Sequence, residues 1–204
     1  MNLFTSITTR VKEAHALPVS DERRTVLQFV IDYVQAKLEG NESVNLGFIC
    51  THNSRRSQLG QIWAAVVAYS FGIEINSFSA GVEETAFNSR AVASLRRFGF
   101  QVRDQGTGNP HYRIKYARDA PPLLCFSKTL DYADSPKDKF AAIMTCADAD
   151  DNCPLMPGAE VRIPLRYDDP KVFDGTRYES EKYDERSLQI ASEMLYVFSQ
   201  VSGR

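Results

Sequence analysis

The stretch Gly47-Phe48-Ile49-Cys50-Thr51-His52-Asn53-Ser54-Arg55-Arg56-Ser57 joins two segments with different hydrophobic patterns. The apolar run that leads into it, residues 44–49, has the length and composition of a buried strand. Helical spacing follows directly, with apolar residues at Ile62, Trp63, Val66, Val67 and Tyr69. The stretch is therefore predicted to form the end of a strand, an anion-binding loop and the first turn of a helix.

The loop has the residues that bind and attack a tetrahedral oxyanion. Backbone N–H groups of such a loop, together with the helix dipole, form a nest for the anion. Cys50 and Arg56 stand at the two ends of a C-x5-R spacing. We expect Arg56 to hold two anion oxygens with its planar guanidinium, Cys50 to act as the nucleophile, and Ser57 to stabilise the sulfur when it leaves. The residues predicted to surround the anion are Thr51, His52, Asn53, Ser54, Arg55 and Arg56. The alternative is a buried structural cysteine beside a surface arginine.

The composition excludes several classes of protein. With 43% hydrophobic and 25% charged residues the chain is an ordinary globular protein, and a net charge of -2 argues against a general nucleic-acid-binding protein. No apolar run approaches the roughly 18 residues that span a membrane, and no signal peptide is recognisable. Four cysteines in 204 residues are too few for a disulfide scaffold, which favours a reducing, cytoplasmic location.

Strand and helix patterns alternate along the rest of the chain. Strands are predicted over residues 75–81, 140–145 and 161–167, and helices over 88–98 and 181–199. This alternation predicts an α/β fold with a parallel sheet and helices on both faces.

Two further segments have less regular patterns. A helix that begins after Ser20 precedes the first strand. It is predicted to pack on the domain or on a second subunit through Val26, Phe29, Val30, Tyr33, Val34 and Leu38. The first 20 residues have little pattern. Glycines and prolines bracket the segment 101–127, which is predicted to be a short hairpin or a flap.

Parallel strands end along one edge of a sheet, and ligands bind at that edge. Cys50, Cys146 and Asp169 each follow a predicted strand, so we expect them to converge. Asp169 precedes Pro170, which restrains it to an extended conformation. Asp169 is the predicted general acid that protonates the leaving oxygen.

The segment Cys146-Ala147-Asp148-Ala149-Asp150-Asp151-Asn152-Cys153-Pro154 has a cysteine at each end of an acidic run. If Cys146 lies near Cys50, it can attack a Cys50 adduct and form a disulfide, which Cys153 then resolves by thiol exchange. Three alternatives stay open: a metal site, which needs further thiolate or imidazole ligands; a cation loop built on the aspartates; and unpaired structural thiols. Cys125 is predicted to be an ordinary buried residue.

Three motifs resemble the low-molecular-weight tyrosine phosphatase superfamily: Cys50-Thr51-His52-Asn53-Ser54-Arg55-Arg56-Ser57-Gln58, Ser79-Ala80-Gly81 and Asp168-Asp169-Pro170. Residues 145–154 are similar to the redox segment of its thioredoxin-coupled arsenate reductases, which plain phosphatases lack. The match covers about residues 44–199. The resemblance implies a three-layer fold whose four parallel strands have the order 2-1-3-4, with an additional N-terminal helix.

The resemblance also implies roles for single residues. Cys50 is the nucleophile, Arg56 the oxyanion clamp and Asp169 the acid. Disulfide exchange passes from Cys50 to Cys146 and then to Cys153. The implied partners are an arsenate or phosphate oxyanion as the substrate and thioredoxin as the reductant, with no cofactor, no nucleic acid and no membrane.

The sequence departs from the family pattern at several positions. Arg55 stands where many of the reductases have another cysteine. Some of the reductases bind potassium through acidic residues, but Gln61 and Thr129 stand at those positions here, and no metal is predicted. An insertion near residues 107–125 leads towards the strand of Cys146.

The first hypothesis for function is a thioredoxin-coupled arsenate reductase that works through Cys50 and a Cys146/Cys153 relay. The alternative is a low-molecular-weight protein tyrosine phosphatase that hydrolyses aryl phosphates through a phosphocysteine. A third hypothesis is an anion-binding or redox-sensing regulator that has kept the fold. The predicted organisation is an N-terminal helical extension, residues 1–43, followed by a catalytic domain, residues 44–204.

Overall fold

The computed structural model describes residues 2–152 and 156–201. Its helices are α1 (Thr5–His15), α2 (Asp21–Glu39), α3 (Arg56–Phe71), α4 (Ser89–Arg97), α5 (Ala147–Asn152) and α6 (Glu179–Gln200), and a short 3-10 helix spans Pro170–Phe173. Its strands are β1 (Asn45–Cys50), β2 (Asn76–Gly81), β3 (Gln101–Gln105), β4 (His111–Lys115), β5 (Leu123–Cys125), β6 (Phe140–Met144) and β7 (Ala159–Ile163).

The main sheet contains four parallel strands in the order β2-β1-β6-β7. Counted along the chain among these four strands, the order is 2-1-3-4. Helices flank the sheet, since α3 packs on β1 and β2, α2 packs on β7, and the short α5 packs on the ends of β1 and β6. The predicted α/β fold is therefore confirmed.

The two faces of the sheet have separate apolar clusters. The large cluster lies between the sheet and helices α2, α3 and α6. A smaller cluster on the other face contains Ile49, Cys50 and Cys146. Ile49 pairs with Met144 of β6, so the C-terminal ends of β1 and β6 lie side by side. The residues that follow these two strands consequently meet at one edge of the sheet.

The segment after α4 contains the predicted hairpin, formed by β3 and β4, and a third strand, β5, which was not predicted, extends it into a second sheet. Strands β3, β4 and β5 pair in antiparallel fashion. Tyr112 and Ile114 of β4 are buried, while His111 and Arg113 are exposed. The N-terminus joins this unit, because the Phe4 backbone N–H donates to the Tyr116 carbonyl at 3.0 Å. Strand β5 has only three residues, which is too short for its pattern to be recognised in sequence.

Helix α1 lies within the first 20 residues, where no pattern was recognised. It buries only Ile7 and Ala14, and two apolar positions do not define a period. It packs against α6.

Among the helices of residues 2–152 and 156–201, none has both the length and the apolar character of a membrane span.

Helix α2 begins after Ser20 as predicted, and the Ser20 hydroxyl accepts a hydrogen bond from the Arg23 N–H at 3.3 Å. The predicted apolar face was wrong in part, because Phe29 is 55% exposed. The buried apolar residues follow the spacing i, i+3, i+4 and i+7: Leu27, Val30, Ile31 and Val34. The division of the chain at residue 43 stays a prediction.

Strand β7 is shorter than predicted and ends at Ile163. The next residue is Pro164, which has no N–H to continue the ladder. The chain nevertheless stays beside β6, because the Tyr167 N–H donates to the Thr145 carbonyl at 3.1 Å. This bond fixes the segment that leads to Asp169.

An ion pair joins α2 to α6 close to that segment. Two guanidinium nitrogens of Arg23 donate to the Glu193 carboxylate at 2.7 and 2.8 Å, and the Glu193 side chain is only 3% exposed. Arg23 also donates to the Arg166 carbonyl at 2.8 Å, and the Tyr167 hydroxyl donates to Glu193 at 2.7 Å. Burial, followed by the Glu193 charge, raises the pKa of Tyr167 well above its ordinary value, so the phenol stays protonated.

Arg23→Ala is expected to lower the free energy of unfolding by about 3 kcal/mol, since it leaves the buried Glu193 carboxylate without its cation. Urea titration measures the loss. Arg24→Ala is the matched control, because Arg24 is half-exposed and pairs with the exposed Asp21. The control is expected to change stability by about 0.5 kcal/mol or less. Equal effects of the two substitutions would contradict the buried-pair argument.

Candidate active site

The loop between β1 and α3 turns its backbone carbonyls towards other segments. Each carbonyl of residues 51–55 accepts a hydrogen bond of 2.9 or 3.0 Å from a residue outside this range. Asn53 has a left-handed φ of 47°, which asparagine tolerates. The donors are the N–H groups of Glu83, Asn88 and Leu59, the side-chain amide of Gln58, and the hydroxyls of Thr85 and Ser127.

The N–H groups of the same loop remain available as hydrogen-bond donors. Within residues 2–152 and 156–201, the N–H groups of residues 51–58 have no hydrogen-bond acceptor. The last three belong to the first turn of α3, where N–H groups lack intrahelical partners. Oriented N–H groups at a helix N-terminus are the features that favour a tetrahedral oxyanion.

Cys50 lies at the base of this loop and is 5% exposed. Its Sγ is 3.0 Å from the Ser57 Oγ. The Ser57 Oγ already accepts a hydrogen bond from the Asn53 side-chain amide at 2.9 Å. Because Asn53 supplies that proton, the Ser57 hydroxyl can direct its own proton at the sulfur, where it stabilises a thiolate.

The Gln58 side chain stabilises the loop through hydrogen bonds. The sequence did not indicate this role, although Gln58 is the last residue of the first motif. It is fully buried, and its amide donates to the Asn53 carbonyl and side chain at 3.0 Å and to the Phe126 carbonyl at 2.8 Å. The Lys128 N–H donates to the Asn53 side chain at 3.0 Å. These bonds hold Asn53 in its left-handed conformation.

Arg56 and Asp169 lie together at the mouth of the loop. The Arg56 guanidinium donates to the Asp169 carboxylate at 2.7 Å and to the Tyr167 carbonyl at 2.8 Å. The other Asp169 oxygen accepts from the Lys171 N–H at 3.0 Å, which places Asp169 at the start of the 3-10 helix. The structure therefore brings the predicted clamp and the predicted acid into direct contact.

Arg55 points to the same segment. Its Nε donates to the Tyr183 hydroxyl at 2.9 Å. Its guanidinium also lies 3.9 Å from the Asp169 carboxylate and 3.8 Å from that of Asp174. The Ser54 hydroxyl turns elsewhere and donates to the Ala86 carbonyl at 2.7 Å.

Cys146 follows β6 beside the loop. It is 3% exposed and belongs to the same small apolar cluster as Cys50. Its Sγ lies 3.6 Å from the Thr51 hydroxyl and accepts a hydrogen bond from the Ala149 N–H at 3.4 Å. The structure therefore brings Cys146 to the residue next to Cys50. Cys153 lies outside the described residues.

Arginines neutralise the acidic run after Cys146. Asp150 is largely buried and forms ion pairs of 2.8 Å with Arg162 and 2.5 Å with Arg166. Asp151 pairs with Arg166 at 2.7 Å. Two of the aspartates that a cation loop would use are thus engaged by arginine, and among the described residues no group of three or more acidic, histidine or cysteine side chains is arranged to hold a metal ion.

The remaining predicted positions lie around the loop. The Gln61 side chain is buried and accepts from the Ser79 hydroxyl at 2.7 Å. Thr129 donates to Asp131. The His52 imidazole is half-exposed and lies 3.6 Å from Glu83.

Cys125 is fully buried, as predicted, on the second sheet. Burial raises the pKa of its thiol to about 12. Burial also lowers the pKa of the nearby Lys128 ammonium group. Cys125 therefore remains a thiol at neutral pH and is a poor nucleophile.

Gly81→Ala is expected to distort the loop of residues 51–55, which we call the anion loop because of its predicted role. A Cβ at this position would lie 2.8 Å from the backbone N of Asn53 and from the carbonyl oxygens of Thr51 and Glu83, none of which is a flexible side-chain end. We expect a loss of about 2 kcal/mol in stability and roughly 100-fold in kcat/KM. Thermal unfolding measures the first effect and the steady-state kinetics of aryl phosphate hydrolysis the second, while the inhibition constant of orthophosphate reports on anion binding by the loop. Gly40→Ala at the end of α2, where φ is −75°, is the control; a Gly81→Ala enzyme with unchanged phosphate inhibition would contradict the expectation.

Comparison with known proteins gives related sequences, although no protein-family model matches the chain. The chain is 28% identical over 153 residues to an arsenate reductase of Bacillus licheniformis. The matched region covers 75% of this chain and 93% of the relative. It is 29% identical over 139 residues to an arsenate reductase of Bacillus subtilis. This match covers 68% of this chain and 83% of the relative.

Two solved structures share the fold. A low-molecular-weight phosphotyrosine phosphatase from Vibrio cholerae matches with a TM-score of 0.50 at 16% identity, over 77% of this chain and 95% of that chain. A mutant of YwlE from Bacillus subtilis matches with a TM-score of 0.51 at 16% identity, over 78% of this chain and 98% of that chain. The chain is thus an enzyme related in sequence to arsenate reductases, with the fold of the low-molecular-weight phosphotyrosine phosphatases.

Proposed function

We propose that the chain is a thioredoxin-coupled arsenate reductase in which Cys50 attacks arsenate and Cys146 completes the reduction. The observation that carries the proposal is the position of Cys146. Its sulfur is buried in the same apolar cluster as Cys50 and lies 3.6 Å from the hydroxyl of Thr51, the residue that follows Cys50. Hydrolysis of a phosphate ester has no use for a second thiol at this place.

The first step joins sulfur to arsenic. The N–H groups of the loop and the Arg56 guanidinium hold the arsenate oxygens. The Cys50 thiolate, stabilised by the Ser57 hydroxyl, attacks the arsenic atom and forms an S–As bond. The opposite As–O bond breaks, and Asp169 donates a proton so that the oxygen leaves as water.

The second step transfers the electrons. The Cys146 thiolate attacks the Cys50 sulfur, and an S–S bond forms as the S–As bond breaks. The electron pair of that bond stays on arsenic, which passes from As(V) to As(III) and leaves as arsenite. Cys153 then attacks Cys146, which frees the Cys50 thiolate and moves the disulfide to Cys146–Cys153. The dithiol of thioredoxin reduces this last disulfide and returns the two electrons.

The proposed chemistry has consequences for the cellular location and the cofactor requirement of the enzyme. The cycle needs thiols that are kept reduced, so we place the enzyme in the cytoplasm. It uses no cofactor bound to the protein. In this proposal the catalytic domain comprises residues 44–204, and residues 1–43 are an extension whose α2 braces β7 and the segment before Asp169.

The test uses wild-type protein with arsenate, thioredoxin, thioredoxin reductase and NADPH. We expect NADPH oxidation that depends on both arsenate and thioredoxin, with arsenite formed in equal amount. Hydrolysis of an aryl phosphate by the same preparation shows that the anion loop is intact. A preparation that hydrolyses the ester but oxidises no NADPH with arsenate would overturn the proposal.

A phosphatase that acts on aryl phosphates is the second candidate. The observation that favours it is the contact between Arg56 and Asp169, which joins an oxyanion clamp to a general acid at the mouth of the loop. Protonation of a phenolate leaving group is the task that such an acid performs. Both candidates share the Cys50 adduct and differ in what attacks it, a thiol in one and water in the other.

A further inference from the structure

Arg56 must change partners when an oxyanion binds. Before binding, its guanidinium donates to the Tyr167 carbonyl and to the Asp169 carboxylate. To hold two oxygens of an anion above Cys50, it has to release at least Asp169. Asp169 would then lose its closest ion pair at the moment when it must be held in place as the acid.

A second arginine, Arg55, contacts the segment of residues 169–174 independently of Arg56. The Arg55 side chain, 14% exposed, is 3.9 Å from the Asp169 carboxylate and 3.8 Å from that of Asp174. Its Nε donates to the Tyr183 hydroxyl at 2.9 Å, and this hydroxyl donates to Asp174 at 2.8 Å. Tyr183 lies on α6 and is fully buried. The segment between the two aspartates is therefore tied to α6 as well as to the anion loop.

The chemistry of Tyr183 suits this position. Burial and then the hydrogen bond to Asp174 raise the pKa of Tyr183 to about 12, so the phenol keeps its proton at neutral pH. A neutral hydroxyl can accept from Arg55 and donate to Asp174 at the same time. Beyond Asp174 the segment stays fixed, because the Gly175 N–H donates to Glu179 at 2.6 Å and Arg90 pairs with Glu179 at 2.7 Å.

We propose that Arg55 and Tyr183 are positioning residues that hold the Asp169 segment against the anion loop while Arg56 transfers from Asp169 to the substrate. The inference rests on the proposed roles of Arg56 and Asp169, and it assigns Arg55 to the acid-bearing segment and not to the substrate.

The test exploits the different demands of two leaving groups. Phenyl phosphate needs a proton on its leaving oxygen, whereas 2,4-dinitrophenyl phosphate has a leaving group stable enough to depart without one. In Tyr183→Phe, which removes only the hydroxyl, we expect kcat for phenyl phosphate to fall roughly 10- to 100-fold. We expect kcat for the dinitrophenyl ester to change about 2-fold or less, and the inhibition constant of orthophosphate to stay the same.

Tyr196→Phe is the matched control, because Tyr196 lies on the same helix and its hydroxyl makes no hydrogen bond within the part of the chain that the structure describes. Arg55→Gln is expected to show the same leaving-group dependence as Tyr183→Phe. An equal loss on both esters would mean that Tyr183 acts only on global structure. Weaker orthophosphate inhibition in Arg55→Gln would assign Arg55 to the substrate, and unchanged kinetics in both variants would remove any positioning role.

A second measurement does not depend on turnover. Hydrogen exchange of the backbone amides of residues 171–176 is followed with saturating orthophosphate. We expect exchange to be about 10-fold faster in Tyr183→Phe than in the wild type, since the segment has then lost both Arg56 and Tyr183. Equal protection would overturn the inference. Neither measurement uses Cys146, so a failure of arsenate reduction alone would leave this inference standing and reject only the redox proposal.

Discussion

Cys50→Ser is expected to abolish both arsenate reduction and aryl phosphate hydrolysis, lowering kcat roughly 1,000-fold or more. A serine hydroxyl is not ionised at neutral pH. Among the residues that the structure describes, the polar side-chain neighbour of the Cys50 sulfur is the Ser57 hydroxyl at 3.0 Å, which is not a general base. The loop N–H groups and Arg56 are unchanged by the substitution. We therefore expect orthophosphate to bind with its dissociation constant changed about 3-fold or less.

Isothermal titration with orthophosphate separates the two effects. Retained binding with lost turnover assigns Cys50 to the chemical step. Lost binding with lost turnover would show that the loop itself had changed. A Cys50→Ser enzyme that hydrolyses phenyl phosphate within 10-fold of the wild-type rate would contradict the nucleophilic role, and with it both candidate functions.

Cys146→Ser is expected to abolish thioredoxin-coupled arsenate turnover while it changes aryl phosphate hydrolysis by about 3-fold or less. Reduction of arsenic requires a thiolate that attacks the Cys50 sulfur, and a hydroxyl does not form a disulfide. Hydrolysis requires only water as the second nucleophile. The substitution removes one sulfur from a buried site beside Thr51, so a stability measurement accompanies the two assays.

Cys125→Ala is the matched control for this experiment. Cys125 is as buried as Cys146, but it lies on the second sheet, and the high pKa of its thiol makes it unreactive. We expect both activities to persist in this variant. If Cys146→Ser still reduces arsenate with thioredoxin at the wild-type rate, the relay is wrong. If it loses hydrolysis as well, Cys146 supports the loop instead of carrying electrons.

The local hydrophobic pattern was sufficient to predict the strand, loop and helix at the centre of the fold. The strand β1, the loop after it and the helix α3 are contiguous, and their apolar spacing determines which elements they form. The parallel sheet followed from the alternation of such elements, because right-handed crossovers leave few other arrangements. Convergence of Cys50 and Cys146 at one edge was predictable for the same reason.

Local pattern failed where an element is short or where burial depends on distant partners. β5 has three residues and α1 buries two apolar side chains, so neither has a recognisable period. Phe29 is apolar yet exposed, because the position of α2 against β7 and α6 selects the neighbouring face of the helix. No spacing along α2 contains that information.

Sequence pattern alone predicts that a loop with Cys50 at its base joins a strand to a helix at the C-terminal edge of a parallel sheet. The partners of the charged side chains, in contrast, depend on how the elements pack. Arg55 and Arg56 are adjacent and chemically identical, yet Arg56 contacts Tyr167 and Asp169 whereas Arg55 contacts Tyr183. These partners lie 111 to 128 residues away in sequence, and Arg23 and Glu193 are 170 residues apart. Hydrophobic periodicity reports which face of an element is buried, but the partner of a long charged side chain depends on which elements the fold brings together around it.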